Sequence, residues 1–134
     1  MSRRSARKNA FFLLFQMDFN KAEEYEQVKE IFFAEKEEPV EEEDKDFILS
    51  EVEGARGHLE EIDHIIGECA KGWNTDRMSK VDLAILRLAV YELRFCEDTP
   101  VGVAINEAVE LAKKFSSDEA PGFINGILGK VAAK

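Results

Sequence analysis

Little in this sequence punctuates the chain: its 134 residues include only three prolines and eight glycines. That scarcity disfavours a turn-rich β architecture and leaves long stretches free to be helical. Cysteine is rarer still. Cys69 and Cys96 stand alone, without CxxC spacing or clustered histidines, so neither a zinc site nor a disulfide framework is indicated. Both thiols are expected to be mostly buried, in a reducing cytoplasm. No apolar run approaches the roughly 18 to 20 residues that would span a bilayer. The opening MSRRSARKN leads only into FFLLF, with no small-residue cleavage site behind it, so no signal peptide is expected. Catalytic signatures are missing as well: there is no GxGxxG, P-loop or GxSxG pattern. His58 and His64 are six apart and share no helix face, which makes a poor metal pair. The carboxylates of 35–46 lie in an acidic run rather than in a water-restricted pocket that could shift their pKa values. The chain reads as a non-enzyme, with no cofactor.

Net positive charge is also lacking. The total of −10 argues at first against a nucleic-acid partner, but the distribution of that charge points the other way. Residues 1–21 carry five basic side chains and one acidic one, residues 22–68 carry four and eighteen, and residues 69–134 carry nine of each. One acidic segment masks a basic amino end, and local sign asymmetry is the informative quantity.

What is present is helical periodicity. A first helix is predicted from Ser2 or Arg3 to Phe19, apolar nearly all round beyond Ala10. A second fits Glu23–Ala34, with Tyr25, Val28, Ile31 and Phe32 at helical spacing. EKEEPVEEEDKD at 35–46 reads as a solvated connection. A third helix covers about Lys45–Arg56 and a fourth about Leu59–Lys71, with Gly72, Trp73 and Asn74 marking its end. The most apolar element, Ser79–Phe95, belongs at the centre of a bundle. It opens on Ser79-Lys80-Val81-Asp82, a partial capping box. Thr99 and Pro100 are expected to cap and open a sixth helix reaching Phe115, and a seventh runs from about Pro121 to Ala133. The fold expected is all-α, about seven helices in two packed bundles within one domain of residues 1–134. One bundle spans about 1–72 and the other about 75–134.

Four stretches carry a more specific signal: RRSARKNAFFLLFQMDF near the start, VDLAILRLAVYEL at 81–93, TPVGVAINEAVELAKKF at 99–115 and FINGILGKVA at 123–132. In this order and spacing they resemble the NusB family of bacterial transcription antitermination factors, over the whole chain except the acidic middle. The resemblance implies an all-α fold of two bundles and a partner, the small-subunit ribosomal protein that doubles as NusE. It also implies binding of the boxA element of nascent rRNA-operon transcripts, as part of the complex that makes RNA polymerase resist termination. Some family members form homodimers, which would cover the basic surface. The same domain occurs fused to rRNA cytosine methyltransferases. No such domain lies within these 134 residues, so an accessory role there is expected only in trans. A purely protein-binding scaffold is the third reading.

Arg3, Arg4, Arg7 and Lys8 fall in the first two turns of the first helix, where i,i+4 spacing predicts two adjacent cationic rows. Cations are disfavoured at a helix N-terminus. The end is therefore either a solvated, frayed terminus or a set of phosphate contacts; four such contacts predict a log–log salt slope of about −3 on single-stranded RNA. Phe123 is either a core residue or, as the resemblance implies, an aromatic that contacts boxA, with Asn125 two residues later as an amide able to reach a base edge. Gly122, Gly126 and Gly129 form a face without side chains, expected to accommodate another helix or an RNA backbone. The family places a basic residue immediately before the aromatic, whereas this chain has Pro121-Gly122-Phe123, one expected phosphate contact fewer. The resemblance puts the NusE face on Phe15 and Asp82, which also read respectively as a core residue and as the capping-box acid. Arg87, inside the most apolar helix, is expected to be partly buried and paired with a carboxylate such as Glu107 or Glu110, since an unpaired buried charge is costly.

Overall fold

The computed structural model describes residues 1–71 and 78–134. Among the described residues, seven α-helices follow one another: α1 (Arg3–Met17), α2 (Tyr25–Ala34), α3 (Glu42–Gly57), α4 (Leu59–Cys69), α5 (Lys80–Phe95), α6 (Val101–Phe115) and α7 (Ala120–Ala133). A 3₁₀ turn, Ala22–Glu24, leads into α2. There is no strand among the described residues. The expected end of the fourth helix at Gly72–Asn74, and the expected boundary between bundles at 72–75, lie outside the described residues.

Local chemistry explains several helix starts. Ser2 Oγ accepts the Ser5 N–H at 3.0 Å and Ser79 Oγ accepts the Asp82 N–H at 3.0 Å, satisfying donors that helix ends leave orphaned. The acidic run 35–46 is not wholly a connection. Its second half winds into α3, where Glu42, Glu43 and Asp44 occupy the first turn and complement the positive end of the helix dipole. Thr99 does not cap α6. Pro100 takes the N-cap position, in extended conformation and without a side-chain bond, one residue away from the expected arrangement. The first helix also stops at Met17 rather than Phe19; Asp18 closes it, and the Phe19 side chain is 61% exposed.

The apolar girdle of α5 places it at the middle of the molecule, as its sequence predicts. It packs against α1, α3, α4, α6 and α7, with Leu83, Ile85, Leu86, Leu88 and Val90 buried. Around it, Leu13 of α1, Ile48 and Val52 of α3, Ile62 and Ile66 of α4, and Ile124 and Leu128 of α7 complete one continuous core. A phenylalanine cluster closes the side between α1 and α6. Phe115 meets Phe12 edge-on at 5.2 Å between ring centroids and lies 5.6 Å from Phe11. Such ring pairs add about 0.5–1.5 kcal/mol each beyond their buried area.

Arg87 is partly buried and paired, but not with the expected glutamates. Its Nε and Nη2 donate to Asp63 of α4 at 2.9 and 2.8 Å, and Nη1 donates to Asp18 at the end of α1 at 3.2 Å. Lys80 adds a 3.0 Å ion pair to the same Asp18. Burial works against the charge on Asp18, yet the bonds from Lys80 and Arg87 outweigh it and hold its pKa below the ordinary value. The reason for the different partner is geometric: position 87 lies on the side of α5 toward α4 and α1, while Glu107 on α6 pairs with Arg4.

Candidate nucleic-acid interface

The basic amino end folds into α1, and its four cations meet four different fates. Arg3 is exposed and sits over the Phe47 ring of α3, its guanidinium carbon 3.9 Å from the centroid. Arg4 is 66% exposed along its side chain. Its Nε donates to both carboxylate oxygens of Glu107, at 3.2 and 3.0 Å, and Nη2 sits 2.9 Å from Oε2. That bond raises the pKa of Arg4 above its ordinary value. Lys8 is half-buried and has no carboxylate partner among the described residues.

Arg7 departs from the expected cationic row. Only 8% exposed, it is bound on two sides by Glu92 of α5: Nε lies 3.0 and 3.2 Å from the two carboxylate oxygens, and Nη2 is 2.9 Å from Oε1. Glu51 of α3, 2% exposed, joins this cluster. Burial, then the neighbouring Glu92 charge, push the Glu51 carboxyl up to about 9. It is therefore protonated at neutral pH, and one of its oxygens, Oε2, has no hydrogen-bond partner. Arg7 thus holds α1 against α5 and α3, and its guanidinium is turned inward. Sequence reasoning missed both carboxylates. A Glu at 92 amid apolar neighbours was a signal that a cation had to meet it.

The remaining expected residues fall into two further places. Phe123 and Asp82 line the same hollow, about 270 Å³, together with Met78, Ser79, Ser117, Glu119 and Ala120. The expected capping box is only half formed there. Ser79 caps the Asp82 amide, while the Asp82 carboxylate accepts the Ser116 hydroxyl at 2.5 Å. That bond ties the end of α6 to the start of α5. Phe123 is half-buried and packs on the edge of the core. Phe15 lies elsewhere, in a shallow apolar hollow with Gln16, Phe19, Asn20, Val28 and Ile31, its ring 5.0 Å from that of Phe19.

Asn125 is exposed on α7, on the face that carries Gly122, Gly126 and Gly129. Among the described residues no helix approaches that face: a Cβ added at any of the three glycines would meet nothing within 4 Å. The expectation of a packed neighbour is corrected accordingly. What the glycines leave is an open, flat strip of backbone beside an amide side chain.

The model of the NusB family matches residues 4–133. The chain belongs to the NusB family. Among NusB relatives, the transcription antitermination protein NusB of Agathobacter rectalis is 45% identical over 132 residues, 98% of this chain and 100% of that one. The T. maritima NusB structure superposes with a TM-score of 0.90 at 35% identity, covering 100% of this chain and 92% of the other. A solved complex of the antitermination factors NusB and NusE with double-stranded RNA contains a chain that matches with a TM-score of 0.81 at 30% identity. That match covers 98% of this chain and 96% of the other. Like these relatives, this NusB-family chain is all-helical, and no helix among its described residues is long and apolar enough to cross a membrane.

Proposed function

We propose that this chain works in the cytoplasm as an antitermination factor that, with NusE, binds single-stranded boxA RNA of nascent rRNA-operon transcripts. There it helps the RNA polymerase complex pass terminators. The observation that carries this reading is the likeness, over 98% of this chain, to the NusB subunit of a solved NusB–NusE–RNA complex. The charge geometry supports it. In a chain of net charge −10, Arg3 and Arg4 are exposed at the start of α1 with Lys8 beside them, where anions gain from the helix dipole and released counterions.

In this reading Arg3, Arg4 and Lys8 take phosphates and set the position of the strand, and Phe123 with Asn125 reads bases. Arg7 acts indirectly, by fixing the helix on which the other three stand. Three contacts in place of four lower the expected salt slope to about −2 on single-stranded RNA. Phe15, with the exposed Phe19 and Ile31 beside it, supplies an apolar anchor for NusE, and Asp82 a charge.

Fluorescence anisotropy with a labelled boxA-like strand, with and without NusE, tests the reading. Tighter binding with NusE is expected, together with a preference over scrambled and double-stranded controls. Absence of both NusE association and RNA binding would point to a protein-binding scaffold. Phe123→Ala is expected to weaken boxA more than the scrambled strand; equal losses would mean that the ring only packs. Sedimentation of the free protein shows whether a homodimer covers the basic end.

A further inference from the structure

A further hollow lies between α1 and α6. About 360 Å³ in volume, it is lined by Arg4, Arg7, Lys8, Glu107, Glu110, Leu111, Lys113 and Lys114. Four of these side chains are cationic and reach solvent. Lys8 and Lys114 have no ion-pair or hydrogen-bond partner among the described residues, and Lys113 has only a loose 3.8 Å approach to Glu110 on its own helix. Lys8 also faces a like charge: burial, and then the Lys8 ammonium, lower the pKa of Lys36.

A concave surface carrying unsatisfied ammonium groups attracts a polyanion. Besides the inward-turned Arg7–Glu92 pair, the ion pair at its solvent-facing side is of a telling kind. Glu107 holds the exposed Arg4 guanidinium through two oxygens, the forked geometry that a phosphate also offers. Glu107 is nearly buried and fixed on α6 while Arg4 remains open to solvent, so the arginine is the partner free to move. A phosphate entering beside Lys114 competes for Arg4 and exchanges one anion for another.

We propose that this α1–α6 hollow is a second phosphate subsite on the RNA path, in which Lys8, Lys113 and Lys114 hold the strand and Arg4 passes from Glu107 to a phosphate as the strand seats. The proposal rests on the RNA-binding reading above and adds α6 to an interface that reading confines to α1 and α7. Lys113 and Lys114 lie in the last turn of α6, so one strand could run from the start of α1 toward the Phe123 end of α7.

The test is anisotropy with the boxA-like strand and NusE, titrated between about 50 and 200 mM salt. Lys113→Ala/Lys114→Ala is expected to lower the log–log slope by about 1.4, two contacts at roughly 0.7 each. Glu107→Gln is expected to tighten binding several-fold, because Arg4 then leaves a neutral amide rather than a carboxylate. Far-UV circular dichroism confirms that each variant is folded, and Lys114→Glu provides an independent reversal expected to weaken binding further. An unchanged slope in the double lysine variant, or unchanged affinity in Glu107→Gln, overturns the proposal. If Arg3→Ala flattens the slope in the same assay, the broader RNA-binding reading survives that result; if the unaltered protein shows no salt-dependent binding, that reading fails first.

Discussion

Replacing Arg7 with methionine separates a structural cation from an RNA contact. Methionine keeps much of the aliphatic volume and removes the guanidinium, which lies within 3.2 Å of both Glu92 carboxylate oxygens. Neither partner is more than 9% exposed along its side chain. Without Arg7, Glu92 faces Glu51 in the interior with no cation bound to it. Breaking a buried pair by removing one partner costs about 3–5 kcal/mol. For a domain of this size that corresponds to a fall in Tm of about 10–20 °C. Urea unfolding followed by circular dichroism at pH 7.5, with RNA affinity measured on the folded protein at low temperature, gives both the stability loss and any change in binding. A variant within about 1 kcal/mol of the parent that nonetheless binds RNA much more weakly would refute the reasoning and return Arg7 to the phosphate-binding set.

Three further outcomes follow from the same geometry. Glu51, raised to about 9 in the fold against an ordinary 4.5, binds more protons folded than unfolded between those values; its contribution is intact below pH 4.5 and is lost as pH rises through about 9. Glu51→Gln should therefore flatten the stability–pH profile and be the more stable protein at pH 8, and an unaltered profile would contradict a proton held at Glu51. Gly126→Ala and Gly129→Ala, each pointing into open space, should each stabilise the protein by about 0.4–1 kcal/mol in thermal unfolding; destabilisation would mean that something packs there after all. Gly54→Ala should go the other way by about 1–3 kcal/mol, because its Cβ would overlap the Tyr91 ring, which stacks on Phe95 at 5.8 Å; a neutral result in denaturant titration would show that the ring swings aside freely.

The helices were legible because each carries its own periodic record. The girdle of α5 and the buried stripe of α7 follow from residues within a few turns of one another. Ion pairing was not legible, because its partners meet only after the helices cross. Arg4 and Glu107 are 103 positions apart, Arg7 and Glu92 are 85 apart, and Arg87 and Asp18 are 69 apart. Helical spacing placed Arg3 with Arg7 and Arg4 with Lys8 on α1, yet it carried no information about which row would face α5. The glycines of α7 show the same limit from the other side. Their spacing defines a face, and only the arrangement of neighbours reveals that the face is open. Asp82 was readable as a residue near a helix start, but its bond to Ser116 depends on where α6 ends.

The hollow shared by Phe123 and Asp82 bears on how two ligands could influence each other. A protein docked at the acid and a nucleobase stacked on the ring would both rest on the wall of one small basin, close enough to complete each other's walls. Cooperation between them would then need no transmitted conformational signal. The first arrival would add surface for the second, and the gain would be equal whichever came first.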